Sequence, residues 1–290
     1  MVTSAHSATV IDGRTIAERM KEQLRQRLAA LPKFQVPRLA ILYFSTPASL
    51  TYWSAQRAAA LALAIDLSAS ESRGPDVAQS ELERLIAAWN GDPRIHGIFV
   101  HQPLPPQIDP QRVSALIDPH KDVEGIHPSN CARRFFAKAR IGSCTALAVM
   151  ELIESTGMEL AGKEAVVVGH SEIVGRPVSM LLLDKLATTT VCHVATDKAG
   201  RLEEHVRQAD VLVVAVGRPR LIKGSWIKSG AIVIDVGINV EHGRVVGDVE
   251  FETAKARAAF ISPVPGGVGP VTVMMVMKNT VEAFNLQQST

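Results

Sequence analysis

The sequence predicts an α/β protein of two domains with parallel sheets, and three observations support that class. The chain has 290 residues, which favours two domains because a domain commonly has about 150 residues. Short apolar runs alternate with helical segments along the chain, as they do where crossover helices join parallel strands. Apolar residues make up 47% and charged residues 21%, a globular composition that excludes a largely disordered chain.

The first half of the chain contains the elements of a small α/β layer. Apolar residues at positions 16, 20, 24 and 28 recur every four residues, which predicts an amphipathic helix. We expect strands over 38–44 and 97–100, a helix over 49–65 with Ser49 as its N-cap, and a helix over 79–89. Prolines at 103, 105, 106 and 110 predict an extended turn after the second strand.

The second half predicts a doubly wound parallel sheet. Apolar runs without polar alternation indicate strands buried on both faces, and these lie over 165–168, 189–192, 211–215 and 232–236. Helices are expected over 146–156, 178–183 and 272–284. We therefore place a first domain at residues 1–145 plus 270–290, to which the last helix returns, and a Rossmann-like second domain at 146–269.

Charge, cysteine and hydropathy patterns exclude several protein classes. Lys and Arg total 31 against 29 Asp and Glu, and this net charge of +2 argues against a nucleic-acid binder. The three cysteines (Cys131, Cys144 and Cys192) are widely spaced and the histidines lack ligand spacing, so we expect neither disulfides nor a metal site. The N-terminus lacks an export signal, and Pro and Gly interrupt the uncharged stretch 258–277, so we expect a cytoplasmic protein without a membrane span.

A glycine-containing turn follows the first strand of the second domain. Gly169 ends that strand, and Gly175 opens an apolar helix six residues later. Phosphates bind at helix N-termini, and dinucleotides bind after the first strand of a doubly wound sheet. We therefore assign Gly169, His170, Ser171 and Ile173 to cofactor binding. The spacing is not G-x-G-x-x-G, so an ordinary strand-to-helix connection is the alternative.

Two further strand ends are candidates for the nicotinamide end of such a cofactor. Gly217 follows the third strand of this domain, and Ile238 follows the fourth. Each loop alone is more often structural. Together they favour a binding site, because the carboxyl ends of parallel strands share one edge of the sheet.

Longer stretches of the chain resemble one known family. They are PASLTYW (47–53), GIFVHQPLP (97–105), PHKDVEGIHPSN (119–130), VVVGHSEIVGRPVSMLL (166–182), GRPRLIKGSWIKSGAIVIDVGIN (217–239), VVGDVEF (245–251) and SPVPGGVGPVTVMMVMKNT (262–280). These stretches are similar to the bifunctional methylenetetrahydrofolate dehydrogenase/methenyltetrahydrofolate cyclohydrolase family, and the resemblance covers essentially the whole chain.

The resemblance implies a homodimeric enzyme with a cleft between its domains and a tetrahydrofolate substrate. In this family 5,10-methylenetetrahydrofolate is oxidised by hydride transfer to NADP or NAD, and the methenyl product is hydrolysed to 10-formyltetrahydrofolate. The residues that the resemblance assigns to the substrate are Tyr52, Gln56, Val100, His101, Glu124, Pro265, Gly266 and Gly267. The catalytic residues among them are Tyr52, Gln56, His101 and Glu124.

The sequence departs from the family pattern at the catalytic positions. Gln56 stands where the family has a lysine, His101 where it has a glutamine, and Glu124 where it has an aspartate. The segment SCTALA (143–148) replaces Pro-Cys-Thr-Pro-x-Gly. A glutamine amide has no titratable proton near neutrality, and losing an acid–base group costs about 10²- to 10⁴-fold in the step that needs it. We therefore expect dehydrogenase activity with the cyclohydrolase activity lost or severely reduced.

His101 and the cofactor each leave alternatives open. An imidazole, with a pKa of about 6.5, can handle protons in place of the lysine, but we favour a neutral hydrogen-bonding replacement for glutamine. His170 and Val194 stand where many members contact the 2′-phosphate of NADP, so the cofactor is NADP or NAD, with a slight preference for NADP. A member with an altered substrate and a non-catalytic folate- or nucleotide-binding protein are the competing functions.

Overall fold

A computed structural model describes residues 7–32, 35–136 and 139–288, and these form two compact units. The three-stranded unit contains Arg19–Cys144 and the segment from Val273 onward. The six-stranded unit contains the segment through Glu18 and Thr145–Thr272. All strand pairs in both main sheets are parallel, which confirms the expected α/β class. Residues 1–6, on which the expectation about an export signal partly depends, lie outside the described residues.

The strands and helices that the apolar pattern predicts are all present, together with shorter elements that it did not predict. The strands of the described residues are β1 Thr9–Val10, β2 Leu39–Phe44, β3 Glu71–Arg73, β4 Gly97–Val100, β5 Glu164–Val168, β6 Thr188–Cys192, β7 Val211–Val214, β8 Ile232–Asp235, β9 Asn239–Glu241, β10 Arg244–Val246 and β11 Phe260–Ile261. The helices are α1 Gly13–Ala29, α2 Pro47–Ala62, α3 Gln79–Gly91, α4 Pro110–Leu116, α5 Pro128–Phe135, α6 Cys144–Glu154, α7 Gly175–Asp184, α8 Val194–Lys198, α9 Leu202–Gln208, α10 Phe251–Lys255 and α11 Val268–Gln288.

The three-stranded unit is built around β2, which lies between β3 and β4. Its central residues are fully buried, because helices cover a parallel sheet on its faces. Leu82, Ile86 and Trp89 of α3 belong to the same buried cluster as alternate residues of β2. This core fixes the carboxyl ends of β2 and β4, which carry the polar residues described below.

Two local expectations for this unit are wrong. Ser49 is not the N-cap of α2: Thr46 is, and its side chain accepts a hydrogen bond from the Ser49 main-chain N–H. Thr46 precedes a proline in the first helical turn, an arrangement that favours a helix start there. The proline-rich segment is not extended throughout, because Pro110 opens α4 and the Asp109 carboxylate caps it.

The six-stranded unit has the strand order β1-β11-β8-β7-β5-β6. The chain order reverses at β5, since β6 lies on one side of it and β7 on the other. In a doubly wound sheet this switch point is where ligands bind, outside the carboxyl ends of the strands. The Rossmann-like expectation is confirmed.

The N-terminal segment differs from the expected domain division. The two-residue strand β1 pairs with β11, so residues through Glu18 belong to the six-stranded unit and not to the first domain. A two-residue strand carries no apolar periodicity, which explains why the sequence did not indicate it. None of the described helices, α11 included, combines the length and apolar character needed to cross a membrane.

Candidate functional site

The turn between β5 and α7 requires glycine at two positions. Gly169 has φ +121°, and a Cβ there would lie 2.3 Å from the Ala215 carbonyl oxygen. A Cβ on Gly175 would lie 2.1 Å from the Gly169 carbonyl oxygen. The start of α7 therefore packs directly on the end of β5, a close approach that dinucleotide-binding turns need.

The other predicted cofactor residues surround this turn. Ser171 Oγ accepts from the main-chain N–H groups of Val174 and Gly175, at 3.2 and 3.4 Å, just before and at the first residue of α7. The ring of His170 lies edge to face with that of His193, with centroids 5.2 Å apart, and His193 directly precedes Val194. The structure thus brings the carboxyl ends of β5 and β6 together, as the assignment of His170 and Val194 requires.

A buried aspartate fixes the predicted nicotinamide-facing loops. Asp248 has no exposed surface, and one carboxylate oxygen accepts from the main-chain N–H groups of Val216 and Gly217, at 2.8 and 2.9 Å. The other oxygen accepts from Asn239 Nδ2 at 2.8 Å. A single side chain therefore holds both the loop after β7 and the residue that follows Ile238.

A second aspartate holds the first one in place. The carboxylate of Asp235, at the end of β8, accepts from the main-chain N–H groups of Gly237, Asp248 and Val249, at 2.9 to 3.0 Å. Burial raises the pKa of Asp235 to about 6, although the hydrogen bonds from these N–H groups oppose the shift. A Cβ on Gly237 would lie 2.2 Å from the Asp248 carboxyl carbon, so glycine is required there.

These features fit a dinucleotide. Two glycines admit the close turn, the N-terminus of the ten-residue helix α7 lies beside it, and rigid strand-end loops complete the edge of the sheet. The residues that would hold the cofactor are Gly169, His170, Ser171, Ile173, Val194, Gly217 and Ile238.

We expect Gly175→Ala to weaken NAD(P) binding by at least about tenfold, because the added methyl group would displace α7 from the end of β5. Titration of the protein with NADPH or NADH, followed by the fluorescence of the reduced nicotinamide, measures this. Gly91→Ala is the matched control, since no atom lies within 4 Å of an added Cβ there. Equal affinity in the Gly175 variant and the wild type would contradict the assignment of this turn.

The three-stranded unit brings together the predicted catalytic residues. Tyr52 and Gln56 lie one turn apart on α2, and His101 directly follows Val100, the last residue of β4. Gln56 has no exposed surface, and its Oε1 lies 2.7 Å from His101 Nε2. The His101 and Tyr52 ring centroids are 5.1 Å apart. These side chains therefore form one connected group, as the resemblance implies.

Burial sets the charge state of this group. It lowers the pKa of His101 to about 4, so the ring is neutral near pH 7. The structure therefore favours the hydrogen-bonding interpretation of His101 over proton handling. Burial also raises the pKa of the Tyr52 hydroxyl well above its usual value, and the nearby thiol of Cys144 and carboxyl of Glu124 add to the shift. Both residues serve as neutral hydrogen-bonding groups.

A loop held at several points presents Glu124. The carboxylate of Asp122 accepts from the main-chain N–H groups of Gly125 and His127, at 2.9 and 2.8 Å, and from Asn130 Nδ2 at 2.9 Å. Asn279 Nδ2, on α11, donates to the Val123 carbonyl at 2.8 Å. The main chain on both sides of Glu124 is therefore fixed.

Glu124 is protonated near neutrality in the free protein. Burial and, to a smaller extent, the neighbouring charge of Asp122 raise its pKa to about 8. Nearby, Lys121 is also buried, but its Nζ donates to the carbonyls of Trp89, Asn90 and Asp92, at 2.8 to 3.1 Å, at the end of α3. Because those three bonds use all its hydrogens, the Lys121 ammonium is committed to capping a helix.

The pKa of Glu124 predicts how stability varies with pH. A folded-state pKa above the unfolded value means that the folded state binds more protons, so the stabilising contribution is lost as pH rises from about 4.5 through about 8. Relative to wild type, Glu124→Gln should gain up to about 1.4 kcal/mol of unfolding free energy per pH unit across this window. Denaturant unfolding at several pH values measures it, with the exposed Glu22→Gln as control. If the unfolding free energy of Glu124→Gln varied with pH in the same way as that of the wild type, the raised pKa of Glu124 would be contradicted.

Three predicted substrate residues lie in the other unit. Pro265, Gly266 and Gly267 belong to the six-stranded unit, in the turn before α11. The Gly266 carbonyl accepts from the Gly13 N–H at 3.0 Å, and Gly267 leaves no room for a Cβ beside the Pro263 carbonyl. The structure thus gives these glycines a packing role, and their contact with substrate stays a prediction.

Models of the two domains of one family match the chain. The NAD(P)-binding domain of tetrahydrofolate dehydrogenase/cyclohydrolase matches residues 143–288, and the catalytic domain of the same family matches residues 11–124. The chain belongs to the tetrahydrofolate dehydrogenase/cyclohydrolase family.

Individual members of this family align over nearly the full chain. Bifunctional protein FolD 2 of Geobacter sulfurreducens is 46% identical over 286 residues, which cover 97% of this chain and 99% of the relative. FolD of Bacillus subtilis is 43% identical over 280 residues, covering 96% and 98%. The methylenetetrahydrofolate dehydrogenase-cyclohydrolase of Trypanosoma brucei, solved with NADP and an inhibitor, is 40% identical with a TM-score of 0.93, covering 98% of this chain and 99% of that one.

The sequence did not indicate the residues that hold this family site in shape. Asp122 and Asp248 lie in stretches that resemble the family, but the sequence predicted no role for either residue. Ser49 was predicted only to cap a helix. The bond from the Gly125 N–H to the Asp122 carboxylate three residues earlier is of a local kind that the sequence can indicate. Asp248 has no such signal, since its main-chain partners lie 31 and 32 residues away.

Proposed function

We propose that this protein oxidises 5,10-methylenetetrahydrofolate by hydride transfer to NADP or NAD, and that it has lost most or all methenyl hydrolysis. Family membership over the whole chain and the names of its relatives support the dehydrogenase. The proposed loss of hydrolysis depends on Gln56, a fully buried amide at the centre of the polar group formed with Tyr52 and His101.

The two steps place different demands on the protein. Hydride transfer chiefly needs the reacting rings held at about 3–3.5 Å, and the bound nicotinamide supplies the hydride acceptor. Gly169, Ser171 and Gly217 would hold that cofactor through the turn and strand-end loop described above. Water addition to the methenyl bridge also requires a proton to be taken up and released, which needs a titratable group.

The polar group formed by Gln56, Tyr52 and His101 contains no side chain that titrates near neutral pH. The neighbouring Glu124, whose pKa is about 8, is proposed below to bind the pterin ring. The Gln56 amide does not ionise, His101 is neutral with a pKa of about 4, and burial keeps the Tyr52 hydroxyl protonated. Lys121 is engaged at the end of α3. The group can therefore orient a pterin but is poorly equipped to manage the proton of hydrolysis.

Glu124 is proposed to bind the pterin ring. A carboxylate can accept two hydrogen bonds side by side, from an amino group and a ring N–H. Because Glu124 is protonated in the free protein below about pH 8, binding in that mode would release a proton. The resemblance also implies a homodimer and a slight preference for NADP, and both stay part of the proposal.

A two-signal assay tests the proposed function. The protein is mixed with 5,10-methylenetetrahydrofolate and either NADP or NAD, and reduced nicotinamide and methenyltetrahydrofolate are followed by separate absorbance. We expect methenyltetrahydrofolate to accumulate in step with reduced cofactor. Reduced cofactor without methenyl accumulation would show coupled hydrolysis, and binding of folate without any turnover would favour a non-catalytic protein.

A further inference from the structure

A chain of hydrogen bonds runs from the main chain of β2 to the buried amide of Gln56. The Phe44 main-chain N–H donates to Ser49 Oγ at 2.9 Å, and Ser49 Oγ lies 2.7 Å from His101 Nδ1. His101 Nε2 then lies 2.7 Å from Gln56 Oε1. All three side chains are buried, with Ser49 8%, His101 1% and Gln56 0% exposed.

The donors and acceptors along this chain can be assigned from chemistry alone. An amide oxygen only accepts, so the hydrogen between His101 and Gln56 belongs to His101 Nε2. A neutral imidazole carries one ring hydrogen, so Nδ1 is an acceptor and the Ser49 hydroxyl donates to it. The Phe44 N–H occupies a lone pair of the same hydroxyl, which leaves the hydroxyl hydrogen free for His101.

This series of hydrogen bonds ends at the side-chain N–H₂ group of Gln56. Gln56 Nε2 is fully buried and has no hydrogen-bond partner of good geometry among the described residues, and the Tyr52 hydroxyl is a nearby group with which the Gln56 side chain interacts. A buried unsatisfied donor costs about 1–3 kcal/mol, which a ligand that accepts a hydrogen bond can recover. If the amide turned over to present its oxygen, its N–H₂ group would face His101 Nε2–H, so the rotation requires His101 to take the other tautomer.

We propose that Ser49 is a positioning residue: it fixes the Nε2–H tautomer of His101 and, through it, makes Gln56 present an N–H donor to the substrate. The inference rests on the proposed folate substrate. It adds that the substrate atom received by Gln56 is a hydrogen-bond acceptor, a carbonyl oxygen or a ring nitrogen lone pair. Ser49, which the resemblance does not assign to the substrate, thereby determines which kind of substrate atom Gln56 can bind.

Nitrogen NMR of the ¹⁵N-histidine-labelled protein without ligand tests the tautomer. The His101 signals, assigned by their loss in His101→Asn, should show a protonated Nε2 and an unprotonated Nδ1 in the wild type. Ser49→Ala should abolish this preference and raise the folate KM about tenfold while leaving the NAD(P) KM within about twofold. Ser49→Thr, which keeps the hydroxyl, should restore both, and Ser54→Ala on the exposed part of α2 should change neither.

A wild-type His101 protonated at Nδ1 would overturn the proposal, as would an unchanged tautomer and folate KM in Ser49→Ala. The tautomer is read without substrate, so it is independent of turnover. An Nε2–H ring in a protein that oxidises no folate would refute the proposed function and the substrate role of Gln56, while leaving the Ser49–His101 assignment in place.

Discussion

The double variant Gln56→Lys, His101→Gln is expected to hydrolyse methenyltetrahydrofolate about 10²- to 10⁴-fold faster than the wild type. These substitutions place the residues that the family resemblance implies at both positions. An amine at position 56 supplies a group that can take up and release a proton, and a glutamine at position 101 can turn its carbonyl oxygen toward it.

Gln56→Lys alone should gain less than the double variant. In the wild-type arrangement His101 Nε2–H points at position 56, so a protonated lysine would meet a donor, and Ser49 opposes the change of tautomer. Gln56→Met, similar in length but without a proton to exchange, is the matched control and should not increase hydrolysis. If the double variant still oxidises its substrate but hydrolyses no faster than the wild type, the loss lies elsewhere, with the 143–148 segment the next candidate.

The second large effect is expected at Asp248. Asp248→Ala removes the acceptor of two main-chain N–H groups and of the Asn239 amide, and each buried donor left without a partner costs about 1–3 kcal/mol. We expect a loss of about 3 kcal/mol or more in unfolding free energy, and cofactor affinity at least about tenfold weaker, because the loops after β7 and β8 lose their common anchor.

The variant Asp248→Asn distinguishes an effect on the position of the cofactor loops from an effect on folding. The isosteric amide keeps one acceptor oxygen, but its N–H₂ group must face either the main-chain N–H groups of Val216 and Gly217 or Asn239 Nδ2, which are all donors. One of the two loops should therefore shift while the unit remains folded. Calorimetry for stability and cofactor titration for affinity measure the two effects, with Asp184→Asn, exposed at the end of α7, as control. Unchanged cofactor affinity in the folded Asn variant would show that Asp248 does not position the cofactor loops.

The strands and longer helices could be predicted because their apolar periodicity is local. Residues of β2 and β5 are buried on both faces, and a continuous apolar run in the sequence indicates a strand of this kind. Elements without such a pattern were missed: β1 has only two residues, and α5 is largely polar and begins at the cap formed by the His127 side chain.

In the candidate site, the sequence indicated only the residues to which the resemblance assigns a ligand. Gln56 and His101 were found because they depart from a known motif, and the structure shows them in contact. Asp122 and Asp248 were not found, because most of their partners are main-chain N–H groups. Ser49 was assigned only a capping role, because its contact with His101 joins residues 52 positions apart. Such partners depend on the folded path of the chain and carry no side-chain pattern in the sequence.

Methenyltetrahydrofolate supplied without NADP or NAD tests whether the protein has lost methenyl hydrolysis. Its disappearance is followed at protein concentrations that oxidise methylenetetrahydrofolate readily, beside a protein-free sample in the same buffer. We expect equal or nearly equal rates in the two samples. A rate that rises in proportion to protein concentration, far above the spontaneous reaction, would contradict the proposed loss of hydrolysis.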